Sequence, residues 1–330
     1  MSVTYLQIEP TTRCNFTCGF CCGRKMDQSD LNFDAFVNTL EQFPNLKHIE
    51  IQGEGEPLLH PQFFEMAKLA QEKGIKVSTI TNGSMFTPQR IENILEVGIS
   101  SILVSIESPD TEEFKQIRGG NLDKVITGIE ALLIARNSLN QIYPAVGFAV
   151  TVLKQTRHHL AAIAHLYHRL GMDGGILVHL LSSMEPYAQV YQEQISSQLL
   201  SPIEQALVWS KYAKILGSDD YYESPIQHFW DDLLHKQKGK NSQTTQTSGF
   251  HSCPWLDQAL FINRHGVATV CPNAKDTERF ALGAIGRNEV KDIIQARNQI
   301  AQELNQGIIP DVCNKCFIAE SIVKRKKNLG

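Results

Sequence analysis

Eight cysteines stand near the two ends of this 330-residue chain, four in each group, with none between. The first group lies in Arg13-Cys14-Asn15-Phe16-Thr17-Cys18-Gly19-Phe20-Cys21-Cys22, soon after the apolar-rich segment Tyr5 to Ile8. Cys14, Cys18 and Cys21 are spaced C-x3-C-x2-C. Thiolates are the usual protein ligands of iron–sulfur clusters. Three of them hold three irons of a [4Fe–4S] cube and leave the fourth iron open to a small molecule. Zinc is the competing reading, but a structural zinc site wants four ligands in closed tetrahedral geometry. Cys22 is the nearest fourth thiol, and adjacent Cys21 and Cys22 are awkwardly placed to face one ion. The second group is Cys253, then Gly266-Val267-Ala268-Thr269-Val270-Cys271, then Cys313-Asn314-Lys315-Cys316. Eight cysteines are too few for a disulfide scaffold in a chain of this size, and their clustering points to metal ligation in a reducing compartment. Four thiols suit a cube or a zinc ion equally well.

The first 181 residues supply the frame that must position these groups. Strand candidates are Tyr5–Ile8, His48–Ile51, Lys76–Ile80, Ser101–Ile106, Ala145–Val152 and Gly175–Leu181. Amphipathic stretches separate them: Phe33–Phe43, Pro61–Lys73, Pro88–Val97, Leu122–Ala135 and His158–Leu170. Such alternation demands an α/β fold with a parallel sheet. Six units suit an open, partial TIM barrel, whose active residues belong at the C-terminal ends of strands. The first cysteine group follows the first strand and is correctly placed. Residues 182–249 read as a helical connector and polar loop. They hold Pro186, Tyr187, Tyr191, Trp209, Tyr212, Tyr221, Tyr222 and Trp230, a helical period over Ile203–Ile215, and the low-complexity stretch Gln237 to Gly249. Its aromatics either pack a connector against the barrel or line a substrate mouth. Residues 250–330 read as a small α+β domain, with a hairpin of Phe261–Asn263 and Val267–Val270 turning at His265-Gly266 and a helix over Glu289 to Leu304. Lys324-Arg325-Lys326-Lys327 reads as a solvated tail.

In spacing and position the first cysteine group resembles the radical SAM superfamily, in which the open iron binds the amino and carboxylate groups of S-adenosylmethionine. Phe20 fits the aromatic that the family keeps beside the adenine. Gly53-Glu54-Gly55-Glu56-Pro57 follows the second strand and resembles the family's Gly-Gly-Glu stretch. There Gly55 and Glu56 carry the match, and Glu56 is implied to hold the methionine ammonium. Thr81-Asn82-Gly83 follows the third strand. Ser105-Ile106-Glu107-Ser108 with Arg118-Gly119-Gly120 resembles the segment that touches the ribose and carboxylate. Each motif alone marks only a turn; their order after successive strands gives them weight. The resemblance therefore implies a (β/α)6 barrel, cluster ligands Cys14, Cys18 and Cys21, and cofactor contacts at Phe20, Gly55, Glu56, Asn82, Ser105, Glu107 and Arg118. The later cysteines resemble the auxiliary-cluster extension called SPASM, or twitch in its shorter form. Cys253, Cys271, Cys313 and Cys316 are enough for one further [4Fe–4S] cube, so two clusters per chain are expected. Cys22 has no assigned role: it is either an inert thiol or a donor of a hydrogen atom or proton.

The chemistry implied is removal of a hydrogen atom from substrate by a 5′-deoxyadenosyl radical, with the second cluster accepting the remaining electron. An electron donor such as flavodoxin or ferredoxin is expected. The chain begins at the barrel's first strand, so the expected substrate is a ribosomally made precursor peptide captured by a separate small recognition protein, and then crosslinked, joined by a thioether or cleaved. A small-molecule dehydrogenase of the twitch type is the alternative. A non-catalytic electron-transfer protein is the reading from another class, and the ordered cofactor motifs argue against it. A net charge of −4 gives no basic stripe for nucleic acid. With 42% hydrophobic residues, no run of 18 apolar residues and no signal segment, a cytoplasmic protein without a membrane span is expected.

Overall fold

The computed structural model describes residues 2–181, 194–216 and 252–327. Short apolar segments form β1 (Tyr5–Ile8), β2 (His48–Ile51), β3 (Lys76–Thr81), β4 (Ser101–Ser105), β5 (Ala145–Val152) and β6 (Ile176–Leu180). Interleaved with them are α1 (Phe33–Gln42), α2 (Phe63–Glu72), α3 (Pro88–Val97), α4 (Thr111–Arg118), α5 (Leu122–Ser138) and α6 (Leu160–Arg169), while α7 (Pro202–Leu216) follows β6. Local signals set the helix ends. Asn32 accepts hydrogen bonds from the first-turn amides of α1, and Thr87 with Pro88 opens α3. Strands β1 to β6 pair in sequence order, all parallel, and the sheet does not close. It is a partial (β/α)6 barrel.

The other side of β1 is taken by β7 (Ala259–Ile262), parallel and in register from Tyr5↔Ala259 to Ile8↔Ile262. β8 (Val267–Thr269) and β9 (Gly283–Ala284) continue the sheet antiparallel. The expected hairpin is present, turning through Gly266 at a φ of 73°, and its strands extend the barrel's own sheet. Around it lie α8 (Pro254–Gln258), α9 (Thr277–Phe280), α10 (Val290–Asn305) and α11 (Phe317–Lys327). α10 and α11 close a small second core with Leu256, Val270 and Ala274.

Two helical stretches go beyond the sequence reading. Thr111–Arg118 is a helix, although its charged sequence lacks a broad apolar stripe. The basic tail is the last turn of α11, anchored by buried Ile322 and Val323, where cations oppose the negative end of the helix dipole. In the connector, Tyr212 is buried and its hydroxyl donates to the Ile176 carbonyl at 2.7 Å, whereas Trp209 is 41% exposed. Pro186, Tyr187, Tyr191, Tyr221, Tyr222, Trp230 and the stretch Gln237 to Gly249 lie outside the described residues. Among the described residues no helix is long and apolar enough to cross a membrane.

The two faces of the sheet differ in chemistry because side chains alternate along a strand. Leu6, Ile8, Ile49, Ile51, Val104 and Phe148 point one way and join the main core under the helices. On the opposite face the Tyr5 hydroxyl donates to Glu50, and His48 meets Ser78 at 2.7 Å. Burial pushes the Glu50 carboxyl up to about 7, against hydrogen bonds from Tyr5 and Gln52 that pull it down. Between its ordinary 4.5 and about 7 the folded state therefore holds a proton that the unfolded chain has released. The folded state binds more protons, so this contribution to stability is complete below pH 4.5 and is lost as pH rises through 7. Glu50→Gln is expected to raise the melting temperature at pH 8 more than at pH 5. Melting curves of parent and variant across that range check it; an offset independent of pH would refute it. Buried His48, whose pKa falls to about 4, titrates in both proteins and cancels in the difference.

Candidate functional site

The loop after β1 carries the three thiols, and its path is held by backbone bonds to neighbouring loops. Gly55 and Glu56 donate their amides to the carbonyls of Thr11 and Arg13, at 3.2 and 2.8 Å. A Cβ on Gly55 would sit 2.5 Å from both carbonyl oxygens, which is why glycine is required there. Thr17 and Gly19 donate to the carbonyls of Arg118 and Ile117, so the cysteine loop satisfies the free C-terminal end of α4. α4 ends at Gly119, whose φ of 69° favours glycine.

Three loops then each bring a polar group to one thiol. From the loop after β3, Asn82 Nδ2 lies 3.9 Å from Cys14 Sγ, and the Phe16 amide lies 3.4 Å from the same sulfur. From the end of α4, Arg118 Nη1 lies 3.8 Å from Cys18 Sγ. From the loop after β2, the Glu54 carbonyl lies 3.7 Å from Cys21 Sγ. Desolvation raises all three thiols, Cys21 to about 12; negative charge pushes the same way, from Glu56 on Cys14 and from the neighbouring sulfurs on Cys18 and Cys21. N–H groups aimed at Cys14 and Cys18 are what thiolate ligands of a cluster require, since such bonds offset the buried negative charge. The donor set fits a cluster. Among the described residues, no three Cys, His, Asp or Glu side chains are arranged to hold a single metal ion.

The expected cofactor contacts occupy the same end of the sheet, with differing duties. Glu56 is buried and its carboxylate is largely engaged: Oε1 accepts from the Leu58 amide and the Thr81 hydroxyl, and Oε2 from the Asn82 amide at 2.7 Å. It stitches the second and third loops together and keeps part of Oε2 for a further donor. Asn82 also donates to Asn15 at 2.9 Å. Glu107 and Arg118 pair with each other in a two-pronged ion pair, with side chains only 1% and 8% exposed. That pair holds the guanidinium beside Cys18 and 5.8 Å from the centre of the Phe20 ring. Ser105 ends β4 and is half-buried.

Cys253 precedes α8, Cys271 follows β8, Cys313 ends a short 3-10 turn and Cys316 precedes α11. Lys315 between the last two adopts a φ of 60°, and the Cys316 amide donates to the Cys313 carbonyl. The four sulfurs are close enough to act on one another. Burial raises Cys253 to about 12 and Cys271 to about 11, and Cys313 rises as well, each further lifted by the other thiols. Buried thiols such as Cys253, Cys271 and Cys313, which charge only at a cost, suit a multi-iron cluster that binds them as thiolates.

Sequence reading missed one member of the site. Lys275 forms an ion pair with Glu54, which also accepts from the Cys22 thiol at 2.9 Å. Nothing in the spacing of the chain marks Lys275.

A family model described as the radical SAM superfamily matches residues 8–167. A tungsten-containing aldehyde ferredoxin oxidoreductase cofactor-modifying protein of Pyrococcus furiosus is 30% identical over 183 residues, covering 54% of this chain and 51% of that protein. A GTP 3′,8-cyclase of Pseudomonas putida is 30% identical over 137 residues, 39% of this chain and 41% of the enzyme. The chain thus spans about half the length of such relatives, or less. Among solved structures, anSMEcpe with AdoMet and a Cp18Cys peptide covers 97% of this chain and 88% of its own, with a TM-score of 0.67 at 16% identity. Streptococcus suis SuiB bound to its precursor peptide SuiA covers 89% and 64%, with a TM-score of 0.65 at 14% identity. At such identities the likeness is one of fold. The sequence match, the partial barrel and the three thiols at the end of β1 agree: through residues 8–167 this chain belongs to the radical SAM superfamily of enzymes.

Proposed function

We propose that the chain cleaves S-adenosylmethionine reductively and uses the cleavage to oxidise a peptide. The observation that carries the first half is that loops after β2, β3 and β4 each deliver a group to one of the three thiols following β1. A reduced cluster on Cys14, Cys18 and Cys21 would supply the electron that splits the cofactor into methionine and a hydrogen-abstracting 5′-deoxyadenosyl group. The chain's own residues do the rest. Glu56 and Gly55 fix the loop that faces the cofactor's amino end, and the Glu107–Arg118 pair holds a cation near its carboxylate. Phe20, packed against apolar neighbours, shields the adenine side from water. Cys253, Cys271, Cys313 and Cys316 would hold a second cube with no open iron, which makes it an electron acceptor rather than a substrate ligand.

The peptide is supported by the unclosed sheet, which leaves an extended chain room to lie along the barrel, and by the two fold neighbours that hold peptides. A leader segment bound by a separate protein would lower the cost of ordering such a substrate, roughly 2–5 kcal/mol. The second reading is a small-molecule substrate, favoured by relatives named for GTP and for a cofactor. Their likeness covers about half of this chain or less, so it bears on the barrel more than on the whole.

Anaerobic reconstitution should give about eight irons per chain, two cubes' worth; about four with tightly held zinc would remove the second cluster. The loaded protein alone should form 5′-deoxyadenosine slowly. A precursor peptide encoded beside its gene, added with its partner, should accelerate this and change in mass. Efficient oxidation of a nucleotide, sugar or amino acid without peptide would favour the second reading.

A further inference from the structure

Glu54 presents a difficulty for the three-thiol site. Its Oε2 lies 3.9 Å from Cys21 Sγ and its carbonyl oxygen 3.7 Å from the same sulfur. Once Cys21 is a thiolate, a carboxylate beside it adds negative charge in a place that water screens poorly. The compensating cation comes from the other end of the chain. Lys275, four positions after Cys271, forms an ion pair with Glu54 Oε1, and the two side chains are 11% and 22% exposed. Its ammonium also sits 5.1 Å from the centre of the Phe261 ring on β7. The Cys22 thiol donates to the remaining oxygen, Oε2, at 2.9 Å, which turns that hydrogen away from the neighbouring sulfur. Glu54 is thus held from both sides.

We propose that Glu54 and Lys275 are a positioning pair that sets the reduction potential of the cluster on Cys14, Cys18 and Cys21 and makes it depend on the folding of the segment after Cys271. Net charge and hydrogen bonding around the sulfurs are what tune such potentials. With both partners present the charges cancel. With Lys275 gone, a bare carboxylate opposes reduction; with Glu54 neutralised, a bare ammonium favours it. The inference rests on the proposed radical SAM reading of the site.

The test is a redox titration of the reconstituted protein followed by electron paramagnetic resonance. The signal that changes when S-adenosylmethionine is added reports the three-thiol cluster. Lys275→Met should shift its midpoint to lower potential and Glu54→Gln to higher potential, while the double variant returns close to the parent. A purely structural role would move both single variants in one direction. Shifts of the same sign, or none with iron content intact, overturn the inference. If Lys275→Met loses its iron, Lys275→Arg decides: a parental midpoint supports the pair, and a shifted one refutes it. No S-adenosylmethionine-responsive signal in the parent overturns the cluster reading and this inference together. A parental signal with unmoved variants overturns this inference alone.

Discussion

Replacing any one of Cys14, Cys18 or Cys21 by alanine is expected to abolish reductive cleavage of S-adenosylmethionine, whereas Cys22→Ala leaves it measurable. Each of the three thiols is met by a different loop, so the loss of one leaves a cube held by two ligands and open to dissociation. Cys22 is committed elsewhere: its thiol donates to Glu54 and its side chain packs against the apolar cluster of Ile117, Leu153, Leu181 and Ile195. Chromatography of 5′-deoxyadenosine formed under a strong reductant checks the outcome, with iron content measured alongside. If Cys22→Ala eliminated the product while its iron stayed intact, the ligand assignment would be wrong.

The second large effect is on stability. Arg118→Met should destabilise the protein by about 3–5 kcal/mol, because it leaves the Glu107 carboxylate, 1% exposed, without its partner. Arg118→Lys should recover only part of this loss, since an ammonium cannot reproduce the two-pronged contact. The double variant Glu107→Gln with Arg118→Met should be milder than Arg118→Met alone, because no charge is then stranded. Denaturant unfolding of the three variants measures this. A loss below about 1 kcal/mol for Arg118→Met would show that water reaches the pair, as it does for exposed ion pairs.

Where the fold obeyed local rules it could be read from the chain. Strands such as Ala145–Val152 are apolar runs, and helices such as Pro88–Val97 carry both a cap and a stripe; their placement matched to within a few residues. α4 escaped because TEEFKQIR is short and highly charged, and its three buried residues, Phe114, Ile117 and Arg118, include a cation. Glu107 and Arg118 were both marked as cofactor contacts from their motif. Their pairing depends on a turn and a helix between them, which no motif records. Glu54 with Lys275, and β1 with β7, were illegible for a simpler reason. Periodicity and spacing speak about neighbours in sequence, and these partners meet only because distant segments share one sheet.

That shared sheet bears on how the chain acquires its shape during synthesis. β1 is made long before one of its two flanking strands: Thr4 and its partner Gln258 are 254 positions apart. Until then the far side of β1 is an open edge with unpaired amides and carbonyls, a template for association with other chains. Contacts of such long separation also slow folding, because the loop must close before they return any free energy. A nascent chain released before residue 259 would have the segment bearing its three thiols at the rim of an unfinished sheet. Joining of the two parts of the sheet, and shelter of that edge from other chains, arrive in the same late step.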